Sequence, residues 1–227
     1  VGGCDPNPAM RERARTILGD HPWVESLEEL LRLGIDAAIV TSPDDTHEDI
    51  TCQLLEAGVG VYLEKPIAIT IEGADRVLET AYRTRTPLYV GHNMRHMAVV
   101  RILRQVIHDG LIGEVRAIWC RHFVGNGGDY YFKDWHADRS RTTGLLLQKA
   151  AHDIDVMNWL SDSVPERIVG MGDLMVYGKL TDRSGQRRDS VMSDWFSFDN
   201  WPPESLMGLN PVIDVEDLSM FMMRQVS

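Results

Sequence analysis

The chain has 227 residues, 23 of them Lys or Arg and 34 Asp or Glu, for a formal net charge of −11. That length suits one large domain or two small ones with a substantial core, and so acidic a chain is a poor match for nucleic acid, which is held through clustered Lys and Arg. No apolar run approaches the ~20 residues of a membrane helix, no signal-peptide pattern opens the chain, and Cys4, Cys52 and Cys120 lack any CxxC spacing, so they read as buried free thiols of a cytoplasmic protein, with no disulfide framework and no metal site.

In chain order, "VGGC" is a short apolar run, and Asn7-Pro8 opens a helix with a cap and a proline in its first turn. Ser26 and Glu29 have capping-box spacing before a second helix. Ile35–Pro43 is an apolar strand closed by turn residues. Thr46 and Asp49 begin the helix "HEDITCQLLEAG", "VGVYLEK" is a strand, Thr70 caps another helix, and Pro87–Asn93 is a further strand. Strands that are apolar throughout, separated by helices, predict a parallel sheet covered on both faces.

Past Asn93 the pattern changes. "MAVVRILRQVIHDG" is an amphipathic helix, and "EVRAIWCRHFVG" alternates like a half-exposed strand. A Gly- and aromatic-rich loop leads into the helical pattern Leu145–Leu160. The runs "ERIVGMGDLMVYGK" and "SDWFSF" read as strands, and "RSGQRR" (Arg183–Arg188) as a solvated loop. The organisation expected is α/β: a Rossmann-type parallel sheet over residues 1–91, then an α+β domain over 92–227 with an open, mainly antiparallel sheet.

A dinucleotide-binding fold opens on a strand and G-x-G-x-x-G, with an acid ~20 residues later for the ribose. Gly2-Gly3 is not that motif, whereas Asp5 stands where the ribose-binding acid belongs. The chain is therefore expected to begin at the second strand of such a fold and to be a fragment. A carboxylate at Asp5 accepts from ribose hydroxyls and repels a 2′-phosphate, which favours NAD over NADP. The plain alternative for Asp5 is a turn-forming residue before Pro6.

Three stretches together resemble the Gfo/Idh/MocA family, the glucose–fructose oxidoreductase and inositol dehydrogenase group. "TSPDDTHEDI" (Thr41–Ile50) looks like the family's strand-end segment under the nicotinamide half of the cofactor. "EKPIAIT" carries its Glu64-Lys65-Pro66 signature, and "GLLLQKAAHDID" resembles the helix that bears the catalytic histidine. The likeness covers Val1 to at least Leu160. It implies catalytic roles for Lys65 and His152, and cofactor contacts from Thr41, Ser42, Pro43, His47, Glu64, Lys65, Pro66 and Asn93. The alternative for His47 is local packing in the first helical turn.

Lys65, at a strand's carboxyl end, lies where open α/β sheets bind ligands. The plain alternative is a snorkelling lysine. Gln148, Lys149, His152 and Asp155 form a polar stripe at helical spacing, with His152 as its titrating member and Asp155 orienting the ring or capping a neighbouring loop; the plain alternative for His152 is a satisfied histidine on a half-buried helix. Asn93, Trp135, His136, Gln148, Lys149 and His152 are the candidate substrate contacts, while Arg95 reads as an ion-pair residue. Sugar-oxidising relatives carry Asp where this chain has Gln148, and Trp-Arg where it has Trp135-His136. Lys149 disfavours a charged His152 ring and suits an anionic group on the substrate.

The function expected is NAD-dependent hydride transfer at a secondary alcohol of a sugar, cyclitol or sugar acid. A homodimer or homotetramer through the second-domain sheet is expected too. The alternatives are a non-catalytic dinucleotide- and sugar-binding regulator, a glycosidase or lyase using transient oxidation, and an inactive fragment.

Overall fold

A computed structural model describes residues 1–124, 128–185 and 208–226. The chain divides into two compact units, Val1–Gly91 and His92–Ser227. In the first, strands and helices alternate: β1 (Gly3–Cys4), α1 (Pro8–Leu18), β2 (Trp23–Val24), α2 (Leu27–Arg32), β3 (Ala37–Val40), α3 (His47–Glu56), β4 (Gly60–Leu63), α4 (Ile71–Thr84) and β5 (Leu88–Val90). All pairing here is parallel, β1 with β2 in one group and β3-β4-β5 in another. Helix starts follow local chemistry: Asn7, Ser26 and Thr70 each accept a first-turn N–H that lacks a helical partner. Thr46 does not cap α3; its hydroxyl lies 2.7 Å from the Pro43 carbonyl instead.

Right-handed crossovers from β3 to β4 and from β4 to β5 place α3 and α4 on the same side of the sheet. There Leu54 and Leu55 of α3 pack on Val40, Val61 and Leu63, with Leu31 and Ala81 against them. Gly73 lets α4 start beside α3, since a Cβ there would lie 2.4 Å from Glu48 Oε2. The opposite face differs from expectation. Ile39, Tyr62 and Tyr89 stand in one row across the three strands, and Ile39 is 74% and Tyr89 48% exposed. Among the described residues the sheet is covered on one face, because the two crossovers share a hand and a direction along the sheet.

The second unit holds α5 (Ala98–His108), the short α6 (Arg139–Thr142), a π-helical turn (Leu146–Ala150), α7 (Ala151–Ser161) and an antiparallel ribbon of β6 (Pro165–Asp173) with β7 (Leu218–Gln225). Its core is Phe132, Ala137, Leu209, Ile213 and Val215, and Phe132 stacks on Tyr177 at 3.7 Å.

Several expectations are corrected here. The run from Glu114 is not a strand: residues 115–124 have no regular structure. Among the described residues no strand pairs with them, and alternation alone does not satisfy backbone N–H and C=O groups. β6 stops at Asp173 because Asp217 takes the N–H groups of Met175, Val176 and Tyr177 at 2.8, 2.7 and 2.8 Å. That turns the chain into the 3₁₀ segment Tyr177–Lys179. Cys52 is buried, but Cys4 and Cys120 are exposed residues; partial desolvation of the sulfur first, then neighbouring carboxylates, push both of those thiols up. "SDWFSF" lies outside the described residues, as do positions 186–188 of the basic run. Among the described residues no helix is long and apolar enough to cross a membrane.

Candidate active site

In the first unit β3, β4 and β5 end level: Val40 pairs with Leu63 and Leu63 with Val90. The ladder continues through Glu64 N–H to Val40 O at 3.0 Å and Gly91 N–H to Leu63 O at 2.7 Å. Two loops leave this carboxyl edge, Thr41–Pro43 and Glu64–Pro66, and one side chain joins them. His47, the first residue of α3 and only 1% exposed, places Nδ1 2.7 Å from the Pro66 carbonyl and Nε2 2.9 Å from the Ser42 carbonyl. Carbonyls only accept, and a neutral imidazole carries a single N–H, so the neutral ring donates to one of the two carbonyls at a time, as its tautomer sets. The hydroxyls of Ser42 and Thr46 meet at 2.6 Å. Thr41 is exposed, Glu64 and Lys65 are half-buried, and Pro66 is buried. Glu64 Oε2 accepts the Lys65 N–H at 3.3 Å, and the Lys65–Pro66 peptide is cis. The structure thus gathers Ser42, Pro43, Glu64, Lys65 and Pro66 at one sheet edge, with His47 inside holding both loops.

Asp5 follows β1 and donates its N–H to Val24 O. Its Oδ1 accepts from Asn7 N at 2.7 Å, and Arg11 donates to its carbonyl at 2.6 Å. Oδ2 makes no hydrogen bond among the described residues, so one carboxylate oxygen remains for a ribose hydroxyl. Arg11 is occupied by that carbonyl and lies 3.6 Å from Glu25. The strand-end acid and the level carboxyl edge fit a bound NAD.

In the second unit Asn93 is exposed at the start of a 3₁₀ turn, Asn93–His96. Arg95 from that turn grips Asp155 on α7 with two hydrogen bonds, Nε to Oδ2 at 2.7 Å and Nη2 to Oδ1 at 2.5 Å. Asp155 also lies 3.8 Å from His92 Nδ1, and the His92 ring meets His152 edge-on with centroids 6.3 Å apart. Trp159, one turn along α7, lies under both Arg95 and Arg104 at 5.8 and 5.6 Å.

The helix before His152 departs from the regular pattern. Leu146–Ala150 is a π turn, a geometry that is rare and concentrated at functional sites. Glu216 Oε1 accepts the Leu146 N–H at 2.7 Å, and its other oxygen meets Arg139 at 2.9 Å. The wider turn divides the expected stripe. His152 and Asp155 face the His92–Arg95 turn, while Gln148 and Lys149 face the His136 loop. Gln148 is 1% exposed and donates to the His136 carbonyl at 3.0 Å; it supports that loop from within rather than standing open to a substrate. His136 stacks on Trp135 at 3.7 Å, is flanked by Tyr130 and Tyr131 at 5.0 and 5.4 Å, and pairs with Asp134. Lys149 Nζ lies 5.9 Å from the Tyr131 ring. Sequence reasoning did not single out His92, whose partners stand far along the chain, nor His122, which pairs with Asp153 at 2.9 Å beside His152.

Residues 1–92 match an oxidoreductase family with an NAD-binding Rossmann fold, and residues 100–224 match the Gfo/Idh/MocA C-terminal domain. The chain belongs to the Gfo/Idh/MocA family. Inositol 2-dehydrogenase from Ralstonia nicotianae is 32% identical to this Gfo/Idh/MocA chain over 173 residues, covering 74% of the chain and 48% of that enzyme. The oxidoreductase domain protein from Kribbella flavida shares its fold, with TM-score 0.75 and 20% identity over 99% of the chain and 56% of the other. The WlbA dehydrogenase from Bordetella pertussis, solved with NADH and UDP-GlcNAcA, has TM-score 0.67 and 23% identity over 78% of the chain and 51% of its own. The chain spans between 35% and 48% of the length of curated relatives that it matches.

Proposed function

We propose that this Gfo/Idh/MocA protein is an NAD-dependent oxidoreductase acting on a secondary alcohol of a sugar, cyclitol or sugar acid. The observation that carries the reading is Lys65 at the carboxyl end of β4, on a loop whose backbone is clamped by the buried His47. NAD, when bound, supplies the hydride acceptor. Asp5 holds a ribose hydroxyl and disfavours a 2′-phosphate, while Thr41, Ser42, Pro43, Glu64, Pro66 and Asn93 line the cofactor. Lys65 donates a hydrogen bond to the alcohol oxygen and steadies its developing negative charge. His152, backed by His92 and Asp155, takes the hydroxyl proton. Trp135 and His136 receive the sugar ring, and the free thiols fit a cytoplasmic setting. The likeness to inositol 2-dehydrogenase supports the alcohol chemistry.

The test is NADH formation across a panel of cyclitols, neutral sugars and sugar acids. Hydride transfer is expected with at least one of them. NAD and sugar binding without NADH identifies a non-catalytic member, a reading favoured by the buried Gln148 in place of an acid. Substrate turnover with no net NADH identifies transient oxidation in cleavage or elimination. Failure to bind NAD leaves the chain inactive by itself.

A homodimer or homotetramer through the β6–β7 ribbon completes the proposal. Val169 opposes Met222, and Met171 opposes Met220, on one ribbon face. These four are 63, 77, 74 and 57% exposed respectively, an apolar face suited to a second copy. Met222→Lys should lower the sedimentation coefficient to that of the monomer; an unchanged coefficient removes the ribbon from the interface.

A further inference from the structure

We infer that Lys149 forms a carboxylate subsite and that the substrate is a sugar acid rather than a neutral sugar or cyclitol. This rests on the reading above that the second unit receives a carbohydrate. Lys149 is half-buried on the π turn. Its contact is the Tyr131 ring, 5.9 Å from Nζ, and among the described residues it has no hydrogen bond and no ion pair.

The carboxylates of neighbouring segments are already committed. Asp134 is paired with His136, Asp153 with His122, Asp129 with the Tyr177 hydroxyl, and Glu216 with Arg139 and the Leu146 N–H. An ammonium drawn part-way out of water without a counter-charge is destabilising. Among the described residues, no carboxylate answers it.

What surrounds Lys149 defines the missing partner. Tyr131, the ring beside Lys149, also packs on His136 together with Tyr130 and Trp135; all three aromatics are partly exposed, an aromatic cluster suited to the C–H face of a pyranose. Aromatic walls with a few placed polar groups are the usual make-up of small-molecule sites. A pyranose against that cluster with a carboxylate at Lys149 satisfies both features at once. A neutral sugar leaves the ammonium unanswered, and a polar site left unpaired is what rejects the analogue lacking the matching group.

The test compares three pairs by calorimetry in the presence of NAD: D-glucuronate with D-glucose, D-galacturonate with D-galactose, and UDP-glucuronate with UDP-glucose. Wild type should bind at least one acid roughly tenfold or more tighter than its neutral counterpart. Lys149→Met should bring acid and neutral sugar level, and Lys149→Arg should keep the preference. If an acid binds in this way but no NADH appears, the hydride-transfer reading falls while the subsite stands. Equal binding of acid and neutral sugar, equal weakening of both by Lys149→Met, or no binding of any acid overturns the subsite.

Discussion

Replacing Lys65 by methionine should lower turnover roughly a hundredfold or more, the loss expected when a donor aimed at developing oxyanion charge is removed. Methionine keeps the apolar stem of the half-buried side chain, so the unfolding midpoint should stay within about 2 °C of wild type. NAD binding, measured by calorimetry, should change by less than about threefold, because this lysine is proposed to meet the reacting oxygen and not the nucleotide. The kinetic loss should fall on kcat and on kcat/KM alike, the mark of an interaction made in the transition state. Retention of more than about a tenth of wild-type turnover would return Lys65 to the status of a strand-end lysine.

His47→Ala should act through a different route and damage both stability and rate. The ring is sealed inside the first unit and its two nitrogens face two backbone carbonyls. Its removal opens a cavity and leaves those carbonyls without that donor, at a cost of about 2–4 kcal/mol. For a unit of this size the unfolding midpoint should drop by roughly 10 °C or more. Turnover at a temperature where the variant remains folded should fall by about tenfold to a hundredfold, because the Lys65 loop loses its anchor and misplacement by about an ångström is enough for such a loss. His47→Gln should not rescue it, since one amide nitrogen does not reach two carbonyls on opposite sides of an imidazole. A His47→Ala protein with wild-type stability would show that the two carbonyls are satisfied in some other way.

The elements that were legible in the sequence are those whose causes are local. Asn7, Ser26 and Thr70 cap helices through a first-turn N–H two or three residues away, and that spacing is visible in a string of letters. The place of Lys65 at a strand end was legible because an apolar strand, a charged pair and a proline follow one another directly. The parts that were not legible depend on distant partners. β2 is two residues long and exists because β1 runs beside it. The π turn has ordinary helical periodicity in its letters and is held at its first residue by Glu216. His92 gains its setting from Asp155 and His152 on α7, and no short motif announces it. The expected strand from Glu114 failed for the converse reason: its alternation is local, but a strand is made by its neighbour.

The level ending of β3, β4 and β5 has a consequence for how such a protein changes over generations. Because Val40, Leu63 and Val90 share one row, the loops that follow rise from a common floor tied together by the β3–β4–β5 ladder. Letters added or exchanged above that floor alter what the loops touch without moving the strands below. Substrate preference can therefore drift while the platform stays inherited, and His47 marks where that freedom stops: a change that displaces it unsettles two loops together.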